Sequence, residues 1–399
     1  MKLSDRIQNL SESQTIAMSQ KSRELRAQGI DVINLSLGEP DFDTPDFAKA
    51  AANQAIADNF THYMPVPGFL DLREAIAHKF KRDNGLDFKA SQIVVSTGAK
   101  QSITNVVLSL VNPGEEVLLP APFWVSYREI VKLAEGTPVV VSTNLENDFK
   151  VTAEQLDAAI GGNTRMIIFS SPCNPTGSAY SGEELAAMAQ VLEKYPDVYV
   201  ICDEIYEHIR FEGTHVSLAS FEAIRDRVIT VNGVSKAFAM TGWRIGYLGA
   251  AQWIADACTK MQGQVTSGTC SIAQKAAKAA VAADPSVCDS MVEAFRNRRG
   301  LILELAKAIP SWKVNQPIGA FYLFPDVSAN LNTRFGDTEI HNATDLCMYL
   351  LNEAHVAVVP GEAFGSPGYL RISYAASDDQ IREAMQRIKK AIDRLEPLV

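Results

Sequence analysis

No stretch of the sequence approaches the roughly 20 consecutive apolar residues that a membrane-spanning helix needs. An apolar leader is missing too: Met1-Lys2-Leu3-Ser4-Asp5-Arg6 carries charge where a secretory signal is hydrophobic. A soluble, cytoplasmic protein is therefore expected. Positive charge is scarce. Lys and Arg number 37 against 47 Asp and Glu, a formal charge of -10, which argues against a nucleic-acid partner because neutralising phosphates takes clustered basic residues. The nearest basic cluster, Arg296, Arg298 and Arg299, reads as the solvated face of a helix. Any anionic small molecule must then be met by positive charge placed locally.

Paired cysteines and metal-ligand spacings are missing as well. Cys173, Cys202, Cys258, Cys270, Cys288 and Cys347 are scattered without a CxxC pair, the pattern of buried or incidental thiols rather than of disulfides or zinc. The histidines show no HExxH spacing, so no metal site is expected. There is no internal repeat and no low-complexity segment.

What is present is material for a large core. A chain of 399 residues, 47% of them apolar, favours two or three domains. Over residues 93–250, short apolar strands alternate with helical patterns, the signature of an α/β domain with a mainly parallel sheet covered by helices. Strand 93–96 turns through Thr97-Gly98 into a helix with Ile103, Val106, Val107 and Leu110 on one stripe. Ser181 and Glu184 stand in capping-box spacing ahead of Leu185, Met188, Ala189 and Leu192, and strand 198–202 follows. A long helical pattern runs from Pro285 to about Ile309, and the chain changes style at Pro317-Ile318-Gly319-Ala320-Phe321-Tyr322-Leu323-Phe324, where a second, smaller domain is expected. In strand 370–374, alternation sets Arg371 and Ser373 apart from Leu370, Ile372 and Tyr374, so Arg371 points away from an apolar layer.

Three apolar runs end in polar groups. Met166-Ile167-Ile168-Phe169 leads into Asn174-Pro175-Thr176-Gly177; Val198-Tyr199-Val200-Ile201-Cys202 leads into Asp203-Glu204-Ile205-Tyr206; and Val231-Asn232-Gly233-Val234 leads into Ser235-Lys236, with Arg244 close behind. A lysine, a carboxylate, a phenol, an amide and a guanidinium at strand ends are the inventory for holding a phosphorylated pyridine aldehyde. Asp203 needs a cation or several donors to leave water; a protonated pyridine nitrogen is one solution, and capping a strand-to-helix junction is another. The helix opening at Gly98-Ala99-Lys100 offers free amides and a positive dipole end to a phosphate, with Ser235 and Arg244 able to join. Lys100 is unusual there, since the dipole disfavours a cation in the first turn unless anions are bound. Singly, each residue has an ordinary alternative: Lys236 on the surface, Tyr206 and Trp124 in the core, Asn174 in a turn. Near Arg244 and buried, Lys236 would have a lowered pKa and serve as nucleophile and base.

The ordered set of Ser36-Leu37-Gly38-Glu39-Pro40-Asp41-Phe42, Tyr63, Gly98-Ala99-Lys100, Trp124, Asn174-Pro175-Thr176-Gly177, Asp203-Glu204-Ile205-Tyr206, Ser235-Lys236 through Arg244, and Arg371 resembles the fold-type I pyridoxal-phosphate (PLP) aminotransferases. It is most similar to the bacterial aspartate aminotransferases of subgroup Ib, collinear over nearly the whole chain. The resemblance implies an N-terminal arm (1–15), a first part of a small domain (16–44), a large PLP-binding domain (45–290) and a small α+β C-terminal domain (291–399). It implies PLP in a Schiff base with Lys236, Asp203 on the pyridine nitrogen, Asn174 and Tyr206 on the ring hydroxyl, and Trp124 stacked on the ring. Ser235, Arg244 and the Gly98, Ala99 and Lys100 amides would hold the phosphate, with Tyr63 reaching it from the other subunit of a homodimer. Arg371, with Asn174, Trp124 and the Gly38 backbone, would bind the substrate α-carboxylate, and Lys100 the distal one.

The activity so implied is ping-pong transfer of the amino group of L-aspartate to 2-oxoglutarate, giving oxaloacetate and L-glutamate. On the same scaffold an aminotransferase for aromatic or neutral amino acids and a carbon-sulfur lyase are the alternatives. Gly233-Val234-Ser235-Lys236-Ala237 is one residue away from a GxSxG hydrolase elbow, but the final Gly is absent and no His is placed as base. A non-enzymatic cofactor-binding regulator would want a basic DNA-binding domain ahead of the core, which is not there. One departure from the subgroup stands out: Glu12-Ser13-Gln14-Thr15 replaces Pro-Ser-x-Thr, and Ser11 occupies the place of a basic residue in relatives that accept prephenate, which argues against prephenate here.

Overall fold

The computed structural model describes residues 3–398. Seven strands form the central sheet in the order Ile93–Ser96, Gly246–Gly249, Val228–Gly233, Tyr199–Asp203, Thr164–Ser170, Glu116–Ala121, Thr137–Ser142. Gly246–Gly249 is antiparallel to both neighbours and every other pairing is parallel. The strands Ile93–Ser96 and Val228–Gly233 are buried along their length and Thr164–Ser170 at all positions but Arg165, which is why they read as apolar runs. Alternation along the sheet strands separates two cores. Ile168, Ile201 and Val231 pack with the helix Ala99–Leu110 on one face, and Ile167, Phe169, Val200 and Cys202 pack with Gly182–Glu193 on the other.

Both helices predicted for this region form. Ala99–Leu110 buries Ile103, Val106, Val107 and Leu110, and starts from Gly98 at φ +82°, a backbone setting strained for any side chain. Gly182–Glu193 opens with the reciprocal box: Glu184 N–H donates to Ser181 Oγ (3.1 Å), and Ser181 N–H to the Glu184 carboxylate (2.7 Å). In register, Asp203 stands between Ser170 and Val231, so the segments after these three strands leave the sheet at a common edge.

A third core joins the two ends of the chain. Met18, Val32, Ile33 and Leu35 pack with Phe295, Phe321, Leu346, Ile372 and Ile388. Ile33–Asn34 pairs in parallel with Val356–Ala357, and Leu370–Ser373 lies antiparallel between Val359–Pro360 and Tyr322–Leu323. Helices Gln14–Ala27, Asp289–Ala306 and Asp378–Ile392 accompany these strands.

Two expectations need correction, and the alternative of Asp203 as a strand-to-helix cap falls away. No helix follows Asp203: the chain makes turns in which Glu207 N–H donates to Glu204 O and Ile209 N–H to Tyr206 O, both at 2.9 Å. Asp203 Oδ1 takes the Ile205 amide (3.2 Å), and such local side-chain bonding competes with helical pairing. Of the basic trio only Arg296 lies on a solvated face; Arg298 and Arg299 are largely withdrawn from solvent. Arg298 forks onto Asp41 (2.6 and 2.9 Å), Arg299 binds Glu212 (2.6 Å) and Pro317 O (3.0 Å), and Arg296 donates to Phe211 O (3.4 Å). Arg296 also pairs with Glu293 one turn back (2.7 Å), but the partners of Arg298 and Arg299 are far away in sequence, so local pattern could not show them. The pattern from Pro285 is likewise divided, with a tight turn Pro285–Cys288 ahead of the helix Asp289–Ala306.

Candidate active site

The common edge of the sheet opens into a cavity of about 290 Å³. Lys236 lies three residues beyond the end of Val228–Gly233, and its ammonium donates to Gly38 O at 2.6 Å. Burial pushes its pKa down to about 8; Arg371 and Arg244 push the same way, while Glu39 opposes them. Asp203 ends its strand 5% exposed, with Oδ2 accepting from Tyr127 Oη at 2.8 Å. Burial lifts this carboxyl to about 6, against the pull of the Tyr127 hydroxyl, the Ile205 amide and Lys236. The Tyr206 hydroxyl lies 2.6 Å from that of Tyr322, and burial holds the Tyr206 phenol protonated, well above its ordinary pKa.

Arg371 is 2% exposed. The alternation of its strand does turn it away from Leu370 and Ile372, but into a second buried layer, with Tyr322 and Phe364 rings at 4.7 and 5.0 Å. It donates to Asn174 Oδ1 (3.0 Å) and Ser36 O (2.5 Å), which fixes the guanidinium while its Nε stays buried without a partner. Lys100, in the first turn of Ala99–Leu110, holds its ammonium 5.0 Å from the Trp124 ring, and burial and Arg244 lower its pKa.

Arg244 has φ +56° and donates to Thr241 O (3.0 Å) and Thr97 O (3.5 Å). Gly98 is required beneath it, since a Cβ there would collide with the guanidinium. Gly246 is required for the same kind of reason, because a Cβ would strike the Ala99 amide that opens the helix. Gly38, Ala99, Lys100, Trp124, Asn174, Asp203, Tyr206, Ser235, Lys236, Arg244 and Arg371 all line the one cavity. Gly98 touches it through Arg244, and Tyr63 does not line it; the Tyr63 side chain is fully exposed on its own chain.

Sequence reasoning missed Tyr127 and Tyr322. Tyr127 follows the flagged Trp124 by three residues and makes an edge-on ring contact with it at 5.5 Å, a spacing that could have drawn attention. Tyr322 sits in the run 317–324, noticed for its change of style but not for its hydroxyl. Ser13, Thr15 and Ile16, from the start of the helix Gln14–Ala27, also line the cavity. Cys173, next to Asn174, turns its thiol to Pro122 O at 3.6 Å rather than into the cavity.

An amine with a pKa near 8, a buried carboxylate, paired phenols, a helix opening and two guanidiniums on one cavity are groups that fit a phosphorylated pyridine aldehyde. The unpartnered Arg371 Nε marks a place for an additional acceptor. The sequence comparison agrees on the class. The chain belongs to the class I and II aminotransferases, whose family model matches residues 30–388, and this family uses pyridoxal phosphate.

Among curated relatives, an aspartate/prephenate aminotransferase of Nitrosomonas europaea is 46% identical over 392 residues, covering 97% of this chain and 99% of that protein. A bifunctional aspartate aminotransferase and glutamate/aspartate-prephenate aminotransferase of Petunia hybrida is 45% identical over 402 residues, 100% of this chain and 84% of that protein. Of solved structures, the aspartate aminotransferase of Rhizobium meliloti superposes with a TM-score of 0.95 at 40% identity, covering 99% of this chain and all (100%) of that one. The Thermus thermophilus aspartate aminotransferase with maleate gives 0.91 at 39% identity, covering 98% of this chain and 100% of that one.

Proposed function

We propose that this protein is an aspartate aminotransferase, moving the amino group of L-aspartate to 2-oxoglutarate with pyridoxal phosphate bound as a Schiff base to Lys236. One observation carries the reading. In a chain of net charge -10, Lys100, Arg244 and Arg371 line one cavity, and none of them forms an ion pair among the described residues. Unpaired cations in a partly dry cavity call for anions from outside. A cofactor phosphate and a dicarboxylic substrate supply them, which neutral amino acids do only in part.

When bound, the cofactor supplies an electron-withdrawing ring that carries the amino group between the two half-reactions. The chain's own residues do the remainder. Lys236, its amine partly free at neutral pH, would bond to the aldehyde and would move the proton at the substrate Cα. Asp203, anchored by Tyr127 and the Ile205 amide, would pair with the ring nitrogen and favour its protonated form. Arg371, held by Asn174 and Ser36, receives the α-carboxylate with two parallel charge-assisted bonds, and Lys100 takes the distal one. Trp124 would lie against the ring, Tyr206 and Asn174 would meet its hydroxyl, and Ser235, Arg244 and the amides of residues 98–100 would hold the phosphate.

The same reading makes the protein a homodimer of shared sites, organised as arm 1–15, small-domain parts 16–44 and 291–399, and large domain 45–290, and working in the cytoplasm. Supporting it, the Tyr63 side chain is fully exposed, and a groove lined by Thr97, Arg244, Thr266 and Cys270 runs beside the cavity. No helix among the described residues is long and apolar enough to cross a membrane. Prephenate, named for the Nitrosomonas and Petunia relatives, is expected to be a poorer acceptor. Residues 11–13 bring no cation, and the Ser11 amide donates to the Glu129 carboxylate at 2.8 Å. The test is a panel of amino donors against 2-oxoglutarate with the cofactor-loaded protein. Aspartate should lead, and a preference for neutral donors would overturn the proposal.

A further inference from the structure

Behind the edge of the sheet, opposite the cavity, lies a second set of buried charges that the proposed reaction does not use. Alternation turns Ile201 and Asp203 to the cavity side and Cys202 and Glu204 to the other. Glu204 is completely buried. Its Oε2 accepts from Ser217 Oγ (2.6 Å) and Asn84 Nδ2 (3.3 Å) and lies 2.9 Å from His215 Nε2. Glu207 takes Lys79 and the Asn232 amide (2.7 Å) on one oxygen and the Asn84 amide (2.6 Å) on the other.

The cations are unequally shared. Lys79 pairs with Glu207 and Asp83, Arg82 with Asp83, and His208 stands beside both of those acids. Glu204 has one cationic partner among the described residues, His215. Two carboxylates, Asp203 and Glu204, thus follow each other in the chain, both withdrawn from water. Burial lifts the proton affinity of Asp203 most, and an uncompensated Glu204 adds to it. A protonated Asp203 cannot pair with a protonated ring nitrogen.

We infer that His215, through its ion pair with Glu204, is a positioning residue for Asp203: it neutralises the adjacent carboxylate and leaves Asp203 as the anion that meets the ring nitrogen of the cofactor. The inference rests on the function proposed above. Burial alone would keep the imidazole neutral, but Glu204, with Glu207 behind it, outweighs burial and Lys79 and raises its pKa.

The test compares wild type, His215→Gln and the double variant Glu204→Gln/His215→Gln. Glutamine keeps a donor near the Nε2 position and drops the charge. Pyridoxal phosphate affinity is read from tryptophan fluorescence quenching of the cofactor-free protein, and the pH response of the bound cofactor from its visible band. His215→Gln should bind about tenfold more weakly, the equivalent of one pKa unit on Asp203. The double variant should return to within about twofold of wild type, since without the second charge the first is not needed.

Equal binding by His215→Gln and wild type overturns the inference, as does a double variant as weak as the single one, which marks a packing role. Should His215→Gln not fold, NMR titration of the wild-type imidazole decides. A midpoint above the ordinary value of about 6.5 that falls in Glu204→Gln supports the inference, and a midpoint below it overturns it. Failure of wild type itself to take up the cofactor overturns the proposed function, and this inference with it.

Discussion

The two faces of the sheet edge treat buried charge in opposite ways. On the far face, Lys79, Asn84, Glu204, Glu207, His215 and Ser217 bond to one another, and each carboxylate has a cation beside it. On the cavity face, Lys100, Arg244 and Arg371 have no carboxylate partner within the protein, and the Arg371 Nε has no partner of any kind among the described residues. Desolvating an unpaired charge costs several kcal/mol, so the far-face carboxylates, each beside a cation although Glu204 Oε1 and His215 Nδ1 lack a hydrogen-bond partner, need no outside ion, whereas the unpaired cavity cations call for a ligand. The comparison also explains why Asp203 and Glu204 can follow each other in the chain: strand alternation sends neighbours to opposite faces, where Glu204 meets His215 and Asp203 faces the cavity.

The sharpest way to break the comparison is to remove the reacting group of the cavity cluster. Lys236→Ala should lower transamination by about 10³-fold or more while leaving thermal unfolding nearly unmoved, because the residue serves chemistry rather than packing. Steady-state rates and a melting curve on the same preparation check this; retained turnover would remove Lys236 from its role. The far-face cluster should behave in reverse. Lys79→Met leaves Glu207 buried without its cation and should cost about 3–5 kcal/mol in a denaturant titration. A stability unchanged by this substitution would mean that the network is not what it looks like.

A finer division lies within the cavity. Lys100→Met should reduce kcat/KM for aspartate by about 10- to 100-fold, in line with loss of one charge-assisted contact, and leave a neutral donor within about twofold. Equal losses for both donors would place Lys100 at the cofactor rather than at the substrate.

The smallest effect concerns pH. With Lys236 at about 8, capture of the aldehyde by the cofactor-free protein should slow about tenfold for each unit below pH 8, as stopped-flow absorbance would record. Its depressed pKa means that between about 8 and the ordinary 10.5 the unfolded chain holds a proton the native one has lost, so this group makes stability rise with pH there. Asp203 acts with the opposite sign at lower pH. Between 3.8 and about 6 the native state keeps the proton that the unfolded state gives up, so its contribution falls as pH rises through that window.

Much of the fold was legible beforehand because it rests on local pattern. The strand 93–96, the stripe Ile103, Val106, Val107 and Leu110, and the Ser181–Glu184 box follow from period and capping chemistry within a few residues. Asn174, Asp203 and Lys236 could be picked out because each follows an apolar run, and strand ends on one side of a parallel sheet must gather; Arg244 stood out by coming soon after Lys236. Tyr322 could not, since a hydroxyl inside an apolar stretch announces nothing until its partner, Tyr206, is known, and the spacing of Tyr127 from Trp124 gave no hint of its partner, Asp203. The reading of Arg298 and Arg299 failed for the same reason: Asp41 and Glu212 lie 257 and 87 residues away.

The sequence by itself determined the alternating strands and helices, the glycine at position 98 and the chemical inventory at the strand ends, because these follow from side-chain period, backbone freedom and valence. Only the tertiary structure decided which charges are neutralised and which are left open. Pairing depends on distances across the fold, where Lys79 meets Glu207 and Arg371 meets Asn174, and it is burial at those places that moves Asp203 to about 6 and Lys236 to about 8.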